Sequence, residues 1–117
     1  MNRERWKNVE RKVALLLGGK RIPLLGREGA DLDTPYIYPE VKSRKDIGKY
    51  LWDNFFNQIL FAFRQYSIQN KVPAIVIHRP GMEYGDALVC VRARDWQTLI
   101  DLIHQEMTND SSHTNTT

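Results

Sequence analysis

Cysteine is almost missing from this sequence. Cys90 is the only one in 117 residues, which excludes an internal disulfide and any zinc cluster built on cysteines. Such a chain suits a reducing cytoplasm. Long apolar runs are missing too: VALLL, at 13–17, follows the charged MNRERWKNVERK and is too short for a signal-peptide core or a membrane span. No membrane association is expected, and the protein is expected to stay where it is made. No internal repeat or linker interrupts the chain, whose length suits one domain with a modest core. His78 and His104 lack a partner at ligand spacing and read as structural. The segment TNDSSHTNTT has no apolar side chain, so a domain at 1–107 is expected to end in a disordered polar tail at 108–117.

What is present is a globular balance, 42% hydrophobic and 26% charged. Seventeen Lys and Arg against fourteen Asp and Glu give a mild net charge of +3. The distribution says more than the sum. Residues 1–27 hold Arg3, Arg5, Lys7, Arg11, Lys12, Lys20, Arg21 and Arg27 against only Glu4 and Glu10. That positive field fits a polyanion partner and equally fits a solvated basic face.

Periodicity predicts the elements. Trp6, Val9, Val13, Leu16 and Leu17 recur at helical spacing, and the glycine pair at 18–19 stops that helix. KRIPLL at 20–25 reads as extended, with Pro23 marking an edge or irregular strand. DTP at 33–35 is turn chemistry. YIYPEVK at 36–42 reads as a strand, with Tyr36, Tyr38, Glu40 and Lys42 on one face and Ile37, Pro39 and Val41 on the other. From Lys49 to Gln69 a stripe of Trp52, Phe55, Phe56, Ile59, Phe63 and Tyr66 predicts the principal core helix. VPAIVIH at 72–78 and ALVCVR at 87–92 read as buried strands, the latter holding Cys90 as a small apolar residue. Asp95 is expected to cap a last helix whose stripe is Trp96, Leu99, Ile100 and Ile103. The order predicts an α/β fold, a mixed sheet flanked by helices.

One constellation carries chemistry. Glu40 and Lys42 stand two apart on one strand, with Asp31 or Asp33 upstream. Two carboxylates at adjacent strand ends can hold Mg2+, which takes the rest of its shell from a backbone carbonyl, water and phosphate oxygens. A lysine on the same face can orient an attacking water and offset charge on the phosphate. An alternating, solvated strand face would present the same triplet.

Four stretches together resemble the PD-(D/E)xK nuclease superfamily, and within it the archaeal and phage Holliday junction resolvase-like proteins. They are Glu10 ahead of LLLGG, GREGADL leading to Asp31, PEVKSRK carrying Glu40 and Lys42, and a helix followed by VPAIVI and ALVCVR. The likeness spans about residues 5–103. It implies a restriction-endonuclease-like mixed sheet and Mg2+-dependent cleavage of branched DNA to leave a 5′-phosphate, with Mn2+ able to substitute. It also implies a homodimer in the cytoplasm of a bacterial, archaeal or phage-infected host cell. By position, Asp31 and Glu40 would bind the metal with the Val41 backbone carbonyl, Lys42 would assist, and Glu10 would complete the site through water. The family's proline precedes the aspartate, whereas here Ala30 does and the proline is Pro39, before Glu40. Asp31 and Asp33 therefore both stay open; Asp31 follows the family's approach, and Asp33 has an ordinary role in its turn. Gln58 or Gln65 could present an amide to the site, and Arg21, Arg27, Ser43, Arg44 and Lys45 could hold phosphates. A nuclease acting on flaps, ends or duplex, or a DNA-binding module of the same fold without turnover, are the rival readings.

Overall fold

The computed structural model describes residues 3–23, 29–45 and 51–115. Helix α1, Arg3–Leu16, ends as its glycine pair predicts. Gly18 takes φ +78°, its N–H donating to the Leu15 carbonyl at 3.3 Å while Gly19 N–H donates to Ala14 at 2.9 Å. These two bonds satisfy carbonyls the helix would leave orphaned. The buried stripe runs through Val9, Val13 and Ala14, with Leu17 packed against it. Leu16, expected in that stripe, faces solvent, and Glu10 lies inside with 4% of its surface exposed. Positions 10, 13 and 17 share a face at helical spacing, whereas 16 falls off it.

Strands β1, Lys20–Arg21, and β2, Leu32–Asp33, form an antiparallel pair. A three-residue turn then starts β3, Ile37–Ser43, with Tyr36 at φ +65° between the Pro35 carbonyl and the Ile37 N–H, 2.8 Å apart. Alternation along β3 follows expectation: Ile37, Pro39, Val41 and Ser43 are buried, and Tyr38, Glu40 and Lys42 are half-buried on the opposite face.

Strand β4, Val72–His78, runs parallel to β3, and β5, Leu88–Val91, returns antiparallel, so the mixed sheet has the order β3-β4-β5. A parallel pair needs a crossover. A π-helical turn, Leu51–Phe56, and helix α2, Asn57–Gln65, supply it. Phe55, Phe56 and Ile59 pack with Ala30 and Ile75 on the sheet face that carries Tyr38 and Glu40. Trp52 and Tyr66, expected in the same stripe, are exposed. The π turn bonds i to i+5 and so breaks the 3.6-residue phase on which that stripe was drawn.

The other face packs Val41 and Val76 against α1, and Val72 and Ala74 against Leu99 of α3, Ala93–Asn115. Strand β5 is an edge and not a buried strand: Leu88 is 61% exposed and Cys90 is half-buried. Helix α3 starts two residues before Asp95, which accepts bonds from the Arg92 guanidinium at 2.8 and 3.3 Å instead of capping the helix. Trp96 is exposed. The backbone stays helical to Asn115, across most of the segment expected to lack structure. No Gly or Pro follows Gly85 to stop it, and each added residue gains a bond once a helix is nucleated. Among the described residues no helix is long and apolar enough to cross a membrane.

Candidate active site

The alternation of β3 aims Glu40 and Lys42 at the face covered by the π turn and α2. Their side chains meet: Lys42 Nζ lies 3.2 Å from Glu40 Oε1 and 4.8 Å above the centre of the Phe55 ring. Carboxylate and ring together fix the ammonium. Glu40 Oε2 is buried with no hydrogen-bond partner. Such an acceptor costs free energy unless something pairs it.

Asp31 is fastened to the same strand. Gly29 takes φ +134°, and a Cβ there would come within 2.8 Å of the Tyr38 hydroxyl, so this approach requires glycine. The Asp31 N–H donates to the Pro39 carbonyl at 3.0 Å, and the Val41 N–H donates to Asp31 Oδ2 at 2.8 Å. In an extended strand the N–H and C=O of one residue point to the same edge. The Val41 carbonyl therefore shares the edge that Asp31 occupies.

Glu10 reaches this region from the buried side of α1, its Oε1 2.8 Å from Arg21 Nε. Burial pushes the Asp31 carboxyl up to about 7; the charges of Glu10 and Glu40 add to the rise, while the Val41 N–H and Lys42 oppose it. Burial also raises Glu40, against the pull of Lys42. The three carboxylates and one ammonium thus act on one another. Among the described residues no group of three or more His, Cys, Asp or Glu side chains forms a ready metal cage. A hard divalent ion that keeps several waters needs only one or two carboxylates. Asp31, Glu40 with its unpaired oxygen, and the Val41 carbonyl form a donor set of that kind.

Asp33 lies elsewhere. It sits opposite Lys20 on β2, pairs with Lys71 at 3.3 Å, and its side chain is 55% exposed. The geometry separates the two aspartates that the sequence left open. Among the residues expected to hold phosphates, Arg21 has its Nε committed to Glu10. Ser43 is buried and its hydroxyl lies 2.9 Å from His78 Nδ1, so it is not available to a phosphate. It lies on the opposite face from Lys42, as strand alternation demands. Arg44 and Lys45 are exposed, with the Arg44 guanidinium 5.2 Å over Phe55. Arg27 lies outside the described residues. Gln58 and Gln65 are both exposed, off the Ile59–Ala62 side of α2 that is buried.

Two contributors were not read from sequence. Phe55 looked like ordinary core, and its service under Lys42 depends on the π turn. Tyr38 was legible as a neighbour of Glu40 by alternation, but its hold on the Gly29–Ala30 backbone was not. No family model matches the chain, and no curated protein or solved structure matches it either.

Proposed function

We propose that this protein is a metal-dependent DNA endonuclease with a restriction-endonuclease-like fold. It cuts branched DNA as a homodimer, in the manner of Holliday junction resolvases, and leaves a 5′-phosphate. The observation that carries the reading is the pairing of Asp31 Oδ2 with the Val41 N–H at 2.8 Å, beside a Glu40 carboxylate with one buried, unpartnered oxygen and Lys42 at 3.2 Å.

Asp31, Glu40 and the Val41 carbonyl would hold Mg2+ or Mn2+. When bound, such an ion lowers the pKa of a coordinated water and neutralises charge on the phosphate. Lys42 orients the attacking water and stabilises negative charge as it builds on the phosphoryl oxygens. Its place on Phe55 keeps it there at little reorganisation cost. Water forms the new O–P bond, the bond from phosphorus to the 3′ oxygen breaks, and a 3′-hydroxyl and a 5′-phosphate remain. Glu10, neutralised in part by Arg21, adds negative potential behind Asp31. Arg44 and Lys45 take phosphates flanking the scissile one. A four-way junction has near two-fold symmetry, which one site per subunit of a symmetric dimer would match.

The test is cleavage of labelled four-way junction, flap, linear duplex and single strand, each with and without Mg2+. The proposal expects paired, symmetrical cuts in the junction that depend on the ion. Absence of cleavage of every substrate in Mg2+ and in Mn2+ would overturn it.

A further inference from the structure

On the same side of the sheet, a groove separates the helical segment 51–65 from the junction of β5 with α3. Its volume is about 650 Å³, and Trp52, Phe56, Arg64, Val91, Arg92 and Arg94 are among the residues lining it. Trp52 is 65% exposed and rests on Phe56 with ring centres 5.6 Å apart. Phe56 adjoins Phe55, the ring beneath Lys42 and Arg44. Phe55 and Phe56 share one buried cluster, so the groove lies next to the packing beneath the carboxylates.

Among the described residues, none that lines the groove is acidic. Arg92 is held by Asp95, whereas Arg64 and Arg94 are exposed. An apolar partner would cover the indole but strip water from the guanidiniums without pairing them. A second copy meeting groove to groove would set arginine against arginine in a chain that already carries +3. Unpaired nucleotides fit both features: each offers a π-face to an aromatic ring and a negative phosphate to an arginine.

We infer that this groove takes a single-stranded stretch of the DNA substrate, with a base on the open side of Trp52 and phosphates on Arg64 and Arg94. The identity of the ligand as DNA rests on the nuclease reading. Flapped and gapped DNA expose such unpaired nucleotides, so the groove would add a preference that the cleavage site does not itself supply.

The experiment replaces Trp6 and Trp96 by Phe, so that Trp52 is the only indole, and titrates the protein with oligo(dT). Quenching of Trp52 is expected. In the otherwise native chain, Trp52→Ala should weaken oligo(dT) binding about tenfold, the effect of losing one stacked base. Arg64→Gln and Arg94→Gln should each weaken it and flatten its salt dependence. Silent Trp52 fluorescence, or wild-type affinity in all three variants, overturns the inference. So does a Trp52→Ala change that turns a dimer into a monomer while oligo(dT) affinity is unchanged. Junction cleavage in the same preparations separates the two ideas. Intact cleavage with a silent groove removes only the groove, and a quenched Trp52 without cleavage of any DNA removes only the nuclease.

Discussion

Lys42 and Ser43 are consecutive residues whose side chains enter two different polar clusters on opposite faces of β3. Behind the strand, Ser43 Oγ lies 2.9 Å from His78 Nδ1, and His78 Nε2 lies 3.1 Å from the Met82 carbonyl. The imidazole also stacks on Tyr84, ring centres 4.8 Å apart. With the carbonyl as its acceptor, Nε2 carries the proton and Nδ1 accepts from the serine hydroxyl. The serine hydroxyl and both ring nitrogens have partners, and Ser43 and His78 are buried. In front of the strand, Glu40 keeps a buried oxygen without a partner, and Asp31 is held in surroundings that favour its protonated form. A serine beside a histidine resembles a nucleophile and its base, yet it is the sealed pair. Unsatisfied polarity, and not the residue types alone, separates the face proposed to react from the sealed one.

The largest expected effect is on the front face. Glu40→Gln keeps the strand's shape but removes a charged hard-oxygen ligand, so junction cleavage should fall by on the order of 10³-fold or more while DNA binding persists. In the ion-free protein this variant should change stability little, because the charge lost from the Lys42 pair is offset by neutralising a carboxylate with one buried, unpartnered oxygen. Single-turnover cleavage and chemical denaturation measure the two halves. Undiminished cleavage would remove Glu40 from the chemistry and erase the contrast between the faces.

The pH dependence of stability gives the next effect. The Asp31 carboxyl is raised in the folded state to about 7 from an ordinary 3.8, so the folded protein binds this proton more tightly than the unfolded chain. Its stabilising contribution is therefore full below about pH 3.8 and is lost as pH rises through about 7. The loss is on the order of a few kcal/mol, since each tenfold difference in proton affinity is worth roughly 1.4 kcal/mol. Asp31→Asn should remove that slope from the difference between variant and wild-type stability curves. Saturating Mg2+ should flatten the wild-type curve, since an ion that binds only the folded state stabilises it.

Lys42→Met comes next, with the aliphatic stem kept and the charge removed. The chemical step should slow by on the order of 10²-fold. Single-turnover rates equal to wild type would return Lys42 to an ordinary strand face. On the back of the strand the sign of the stability effect reverses. Ser43→Ala leaves His78 Nδ1 buried and unpaired and should destabilise the fold by about 1–3 kcal/mol, without changing the cleavage rate of the folded fraction. A cleavage defect in a folded Ser43→Ala protein would mean that the two faces are not independent.

How far the sequence carried this picture depended on whether neighbours in space were neighbours in pattern. Alternation along β3 set Glu40 and Lys42 together and put Val41 on the other face, because strand side chains repeat every two residues whatever surrounds them. Strand β4 was equally legible from VPAIVIH. Choosing Asp31 over Asp33 needed the backbone bonds to Pro39 and Val41, which no spacing rule supplies. Arg21 as the partner of Glu10 depended on where the short β1–β2 pair sits against α1. The exposed Trp52 was hidden by a π turn, whose phase a helical wheel does not describe. The edge position of β5 was also illegible, since LVCV is equally apolar in a central strand.

The most direct measurement compares junction cleavage by Asp31→Asn and Asp33→Asn under single-turnover conditions in Mg2+, with folding of both variants checked. The two changes are nearly isosteric and lie two residues apart, one inside the carboxylate cluster and one paired with Lys71 at the surface. Loss of cutting in Asp31→Asn with wild-type cutting in Asp33→Asn is the predicted result. An active Asp31→Asn beside a dead Asp33→Asn, or two fully active variants, would contradict the assignment of this cluster as the cleavage site.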